Sequence, residues 1–258
     1  MKTYSTKSIR NIVLIGAPRS GKTTLSEAML FEGKVIDRRG TVEDKNTLSD
    51  SSEFEQNNQK SINATPLYGE INGCKINFID APGSDDFQGG ALSAFKVVDA
   101  AIMVMNGTAG IEVGTSLYAR YADNYQIPIV IAVNQMDHEK ANWEGVLNAV
   151  NEEFGKKAVV CQFPVNPGPG LEGFVDVITM KYYNKKNEEL EIPAAYADEA
   201  EELRAELMQK AAEGSDELME KFFETMELST DEIREGLRAG LVKGETIPVF
   251  CTAAKENV

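Results

Sequence analysis

The chain has 258 residues, 42% of them hydrophobic and 26% charged, which is the composition of a globular protein with room for one large domain or two smaller ones. No apolar run approaches the roughly 20 residues of a membrane span, and Met1-Lys-Thr-Tyr4 lacks the apolar core of a signal peptide, so the composition speaks against membrane-spanning and secreted classes. The formal charge of −15 is uneven: Glu188–Glu235 holds 17 acidic and 4 basic residues, a net of −13, which argues against that segment lying on a phosphate backbone and leaves either a solvated helical face or contact with a basic protein surface.

Ile12–Ile15 reads as a first buried strand. It runs into Gly16-Ala17-Pro18-Arg19-Ser20-Gly21-Lys22-Thr23-Thr24, the pattern G-x-x-x-x-G-K-[ST], and a helix is expected over Gly21–Phe31 from the spacing of Leu25, Met29 and Leu30. Glycines let the backbone wrap closely around phosphates, with successive N–H groups pointing at the anion. Lys22 then neutralises β/γ-phosphate charge, Thr23 offers a hydroxyl to Mg²⁺, and the helix presents its positive end. Gly33–Asn63 is polar, with little sustained period, and too long for an ordinary connection. Just after a phosphate loop, such a segment is expected to be a mobile switch, the alternative being a disordered insertion, with Val35–Asn63 poorly ordered or collapsed without nucleotide.

Leu67–Ile71 and Lys75–Ile79 flank Asn72-Gly73, the signature of a type I′ hairpin. The second of these strands ends in Asp80-Ala81-Pro82-Gly83. A carboxylate at a strand's carboxyl end can hold Mg²⁺, usually through water, and the Gly83 N–H can contact a γ-phosphate. Strand Ala101–Met105, helix Val113–Asn124 and strand Ile127–Val133 follow, so strands and helices alternate. That alternation implies a mainly parallel α/β sheet with helices on both faces and ligands at the carboxyl ends of its strands. Asn134-Gln135-Met136-Asp137 arrives at that edge, and Trp143, Val146, Leu147, Val150 and Phe154 mark the next helix, so Trp143 is a packing residue.

The character changes near Gly155. Ala158–Phe163, Phe174–Met180, Lys181–Asn184 and Glu188–Ile192 look like short strands, and three acidic helices follow, the last over Thr230–Ala239 behind a Ser229…Glu232 capping box. Residues 158–245 are therefore expected to form a small α+β insertion in a nucleotide-binding domain made of 1–157 and 246–258. Ile247–Phe250 is again a strand, leading into Thr252-Ala253-Ala254-Lys255. The end of the chain soon afterwards suggests the front part of a longer multidomain protein. Cys74, Cys161 and Cys251 are far apart and odd in number, which suggests a reducing cytoplasm, small buried hydrophobes and no metal site.

Asn134-x-x-Asp137 after a strand can read guanine. The Asp137 carboxylate accepts both N1–H and the exocyclic amine, a donor pair that adenine lacks, so adenine would leave it unpaired. Gln135 stands where lysine usually packs on the base, and the Thr252–Ala254 backbone would supply an N–H to the guanine carbonyl. GTP or GDP with Mg²⁺ is thus the expected ligand.

With these motifs in hand, the whole chain resembles the translational GTPases, of the elongation factor G type: a P-loop NTPase fold carrying an insertion within the GTPase domain. Asn11–Thr24, Glu55–Ile62, Asp80–Phe87, Asn134–Asp137 and Pro248–Lys255 match its motifs, and Gly173–Lys181 and Ser215–Lys221 resemble its insertion. The resemblance implies a ribosomal partner, both rRNA and ribosomal proteins, and a role in translocation. The other possibility is ribosomal protection of the tetracycline-resistance type or a release or recycling stage. It also implies Thr23, Ser61 and Asp80 as the Mg²⁺ set and Lys22, Gly83 and residue 84 as the catalytic set.

Three departures stand out. The family's D-T-P-G-H is here Asp80-Ala-Pro-Gly83-Ser84, so Ser84 replaces the histidine that positions the attacking water. Arg19 replaces an aspartate beside the phosphates and can turn either to them or to solvent. In the first switch Ser61 keeps a hydroxyl where threonine would close over Mg²⁺, while Lys60 stands where an apolar residue is usual. Binding with weak or absent hydrolysis is the expectation. The only histidine, His138, follows the base motif and is expected at the wrong end of the nucleotide to substitute.

Overall fold

The structure, a computed structural model, describes residues 3–258; the leader reading at Met1 and Lys2 lies outside them. Two compact units divide the chain. The first holds β1 (Ile9–Ile15), α1 (Lys22–Glu32), α2 (Glu53–Asn58), β2 (Thr65–Ile71), β3 (Cys74–Asp80), α3 (Gln88–Ala94), β4 (Ala100–Asn106) and α4 (Val113–Tyr125). Its strands lie in the order β2-β3-β1-β4. β1 runs parallel to β3 and β4, and β2 runs antiparallel to β3. The hairpin turn has φ +50° at Asn72 and +76° at Gly73, the type I′ geometry that Asn-Gly favours.

Val13, Leu14 and Ile15 are all fully buried, as a parallel strand covered on both faces requires. Leu14, Leu30 and Phe78 form a core cluster, with Leu25, Met29, Ile36, Leu67, Ile76 and Ile102 packed around it. That cluster seats α1 against β1 and β3. The register Leu14↔Asp80 brings the chain out of β1 and β3 at the same edge, so the loop after Ile15 and the turn after Asp80 emerge together.

The polar segment after α1 folds around two buried glutamates. Glu27 on α1 is 2% exposed and accepts the Gly40 and Leu48 N–H groups at 2.8 and 2.6 Å. Glu55 on α2 is 1% exposed and accepts the Ile62 and Asn63 N–H groups at 2.9 and 3.0 Å. It also closes a capping box with Ser52. Burial opposes ionisation of Glu55, but these donors outweigh it and hold its pKa to about 2. Because the folded value lies below the ordinary 4.5, the stabilisation is complete above about pH 4.5 and is lost as pH falls towards 2. Acidification from pH 5 to 2 is expected to strip amide-exchange protection from Ile62 and Asn63 ahead of the sheet. Glu55→Gln is expected to do the same at neutral pH, and full protection in that variant would refute this anchoring.

The second unit holds β5 (Ile129–Asn134), α5 (Trp143–Phe154), β6 (Ala158–Val160), β7 (Gln162–Val165), β8 (Gly173–Asp176), β9 (Lys181–Asn184), β10 (Glu189–Leu190), α6 (Ala197–Ala212), α7 (Asp216–Thr225), α8 (Thr230–Lys243) and β11 (Ile247–Cys251). β11 runs parallel to β5 and to β6. A separate antiparallel sheet has the order β10-β9-β8-β7. The run 158–163, read as one strand of the insertion, breaks at Cys161. β6 joins the parallel sheet and β7 opens the antiparallel one, because the Cys161 N–H still donates to Val249 O (2.8 Å) while Phe163 pairs with Val175. Phe174–Met180 stops at Asp176, whose Oδ1 accepts the N–H groups of Ile178 and Thr179 and turns the chain. Trp143 is 5% exposed and packs as expected. No helix among the described residues is long and apolar enough to cross a membrane.

Candidate functional site

In the first unit the phosphate loop lies between β1 and α1. Its backbone needs glycine: Gly16 has φ +141°, and a Cβ there would sit 2.2 Å from the Val104 carbonyl oxygen. Gly21 (φ +90°) is the N-cap of α1. Arg19, at φ +63°, is exposed, as is Pro18, whereas Ala17 and Ser20 are buried. Lys22 is 6% exposed and donates to the Gly16 and Ala17 carbonyls at 3.0 and 2.9 Å. Burial lowers its pKa to about 8 against the pull of Asp80, Glu112 and Asp50.

Thr23 Oγ1 donates to Asp80 Oδ2 at 2.8 Å and lies 3.3 Å from Ser61 Oγ, so the three expected Mg²⁺ residues are brought together. Thr24 follows half-buried on α1. Asp80 is 1% exposed, and burial raises its pKa despite Lys22. Its Oδ1 is buried with no hydrogen-bond partner. Asp50, 4% exposed, has an orphaned Oδ1 of its own, and its pKa is raised by burial against the Ser61 hydroxyl. Two buried carboxylates with unpartnered oxygens beside two hydroxyls fit a hard divalent cation, which takes oxygen ligands. No group of three or more His, Cys, Asp or Glu side chains suited to a metal occurs among the described residues. Such a site would therefore use hydroxyl, carboxylate, water and phosphate oxygens.

Ala81, Pro82 and Gly83 are buried over this loop. A Cβ on Gly83 would fall 2.4 Å from Lys22 Nζ and 2.8 Å from Gly16 O, so the turn lies directly on the cradle and only glycine fits. Tyr118 of α4, fully buried, donates to Pro82 O at 2.8 Å, and burial pushes its phenol up to about 12. Ser84 is 8% exposed, with its Oγ 3.5 Å from Asp86 Oδ2. Asp50 and Tyr118 belong to none of the sequence motifs. Asp50 lies in a polar stretch with no pattern, and Tyr118 reads as one more apolar position of a helix.

In the second unit Asn134 ends β5 and is 1% exposed. Its Oδ1 accepts from Thr252 Oγ1 and Ala254 N–H, both at 3.0 Å, which ties the base motif to the closing motif after β11. The Ala253 N–H donates to Val258 O at 2.6 Å. The Met136 N–H donates to Thr252 O at 3.2 Å, and the Gly107 N–H to Asn134 O at 2.8 Å. Gln135 takes φ +65°, turning the chain so that Met136 is buried and Asp137 half-buried. His138 is exposed, and its Nδ1 accepts the Lys140 N–H at 3.1 Å. Asn134, Met136 and the Thr252–Ala254 backbone of the expected base reader are thus tied by backbone and side-chain bonds within this unit.

Comparison with known proteins follows the same lines. A family model for the elongation factor Tu GTP-binding domain matches residues 7–258. Elongation factor G of Mycoplasma genitalium is 32% identical over 262 residues, covering 99% of this chain and 38% of that protein. A crystal structure of a protein from Thermus thermophilus matches with a TM-score of 0.91 at 25% identity, covering 97% of this chain and 38% of that one. The chain therefore spans 38% of the length of each of these relatives.

Proposed function

The chain belongs to the family of elongation factor Tu GTP-binding domains, and from that premise we propose that it binds GTP and GDP with Mg²⁺ as a translational factor of the elongation factor G type. The observation that carries this is the Thr23–Asp80 hydrogen bond at the mouth of the phosphate loop, with the second Asp80 oxygen buried and unpartnered. Lys22 is held by two carbonyls, and exchanging them for phosphate oxygens turns a weak pairing into a charge-assisted one. Thr23, Ser61 and Asp80 would hold Mg²⁺, with Asp50 beside them; the bound ion supplies positive charge to the phosphate oxygens. Asp137 takes the two guanine donors, and Asn134 keeps its loop in place.

Hydrolysis requires a water oxygen to attack the γ-phosphorus while the bond to the β,γ-bridging oxygen breaks. Positioning and charge stabilisation do nearly all of that work. Ser84 offers neither the reach nor the charge of a histidine, and its hydroxyl turns to the Asp86 carboxylate at 3.5 Å. Turnover is therefore weak, and the protein works as a GTP-gated binder in the cytoplasm. Its partner is the ribosome, and the acidic stretch Glu188–Glu235 supplies a face for a basic protein surface.

Calorimetric titration with GDP, GTP and ADP, with single-turnover hydrolysis alongside, tests this. Binding of GDP but not ADP, lost by about 10²-fold in Lys22→Ala, is the expected result. Equal affinity for ADP and GDP would overturn it.

A further inference from the structure

The base reader of the second unit is braced by a loop that belongs to none of the nucleotide-binding motifs. Asn166-Pro-Gly-Pro-Gly170 joins β7 to β8. At its centre the Gly168 N–H donates to the Met136 carbonyl at 2.7 Å. That oxygen belongs to the peptide unit linking Met136 to Asp137. The unit is planar and includes the Asp137 Cα, so fixing its oxygen fixes the direction in which Asp137 leaves the loop. The other side of Met136 is held by its own N–H on Thr252 O (3.2 Å), and its side chain is 1% exposed.

The loop is tethered in turn. Tyr196, just before α6, accepts the Asn166 N–H and donates to Asn166 Oδ1, both at 3.1 Å. Asn166 Nδ2 donates to Glu172 Oε1 at 2.7 Å. The Tyr196 ring rests on Phe163, with centroids 6.2 Å apart. Pro167 and Pro169 flank Gly168, and their fixed φ angles leave the loop few ways to absorb a displacement at Asn166.

We propose that this loop is a positioning element for guanine selection: Tyr196 acts through Asn166 and Gly168 to aim the Asp137 carboxylate at the guanine N1–H and 2-amino group. The inference rests on the guanine reading of Asp137 and deepens it. Tyr196 and Asn166 need not touch nucleotide. They set the angle of the group that does.

The test compares dissociation constants of the purified protein for GDP and IDP, which differ by the 2-amino group alone. Tyr196→Phe removes the hydroxyl and keeps the ring on Phe163. Asn166→Gly removes the Oδ1 half of the tether and the bond to Glu172, keeps the backbone N–H to Tyr196, and tolerates the local φ of +52°. Both variants are expected to lose about fivefold of the GDP-over-IDP preference, the scale of one hydrogen bond. IDP, which offers Asp137 only its N1–H, is expected to lose less affinity than GDP, and the melting temperature is expected to stay close to that of the parent. A merely structural role would weaken GDP and IDP by the same factor, and that result, which leaves the preference unchanged in both variants, overturns the proposal. A parent protein that binds GDP and IDP equally overturns the guanine reading of Asp137 and the proposal with it.

Discussion

Replacing Ser84 by histidine is expected to raise single-turnover GTP hydrolysis by about 10²- to 10⁴-fold, the usual contribution of a well-placed acid–base group. The site is ready for the longer side chain in three respects. Ser84 is the N-cap of the short turn Asp85–Phe87, with extended backbone angles (φ −84°, ψ 139°) that histidine adopts without strain. The preceding Gly83 lies against Lys22 and the phosphate loop, and Tyr118 holds Pro82 in place, so the backbone that would carry an imidazole is already fixed. Asp86, within 3.5 Å of the serine oxygen, is placed to orient and charge that imidazole. GDP affinity is expected to change little, because no binding group is altered. Rapid-quench measurement at saturating protein, with ribosomes present, reads the effect. An unchanged rate in Ser84→His would show that something other than residue 84 limits turnover.

Asp137→Asn is expected to exchange guanine for xanthine as the preferred base. GDP presents two donors, N1–H and the 2-amine, to the carboxylate. An asparagine can still accept the first, but it turns its own N–H₂ towards the second and leaves two donors facing each other. The loss for GDP is on the order of 10²- to 10⁴-fold, since charge-assisted hydrogen bonds are removed and buried donors are left unpaired. XDP carries an oxygen where GDP carries the amine, so it recovers most of that loss. Asn134, Thr252 and Ala254 hold the loop independently of residue 137, so the fold is expected to persist. Calorimetry with GDP and XDP on both proteins decides the matter. Retained GDP affinity in the variant would mean that Asp137 does not read the base.

The motifs that bind were legible because each is a local solution to a local problem. A phosphate loop needs glycine at Gly16 and Gly21 for its left-handed turns, a lysine, and a hydroxyl at the head of the helix, all within nine residues. The hairpin at Asn72-Gly73 and the parallel strands were legible for the same reason, through turn chemistry and unbroken apolar runs. The α2 helix left a signal too. Ser52-Glu-Phe-Glu55 is a capping box, but it heads a polar helix of only six residues, which hydrophobic periodicity passes over. α3 is a seven-residue helix with two adjacent glycines, Gly89 and Gly90, so neither propensity nor period marks it.

By itself, then, the sequence determined which residues are expected to meet phosphate, Mg²⁺ and guanine, and that a serine stands where the resemblance places histidine. The tertiary structure decided how those residues are held. Asp50 lies beside Asp80 only because Glu27 and Glu55 gather the polar segment into a folded loop. The Asp80–Gly83 turn sits on the cradle because Tyr118, 36 residues away, bonds to its backbone. The peptide unit that leads into Asp137 is held by Gly168, on a loop that Tyr196 tethers. Each of these contacts joins residues far apart in the chain, mostly through a backbone N–H or carbonyl that every residue carries. Such a contact leaves no mark on residue identity, and only the folded chain shows it.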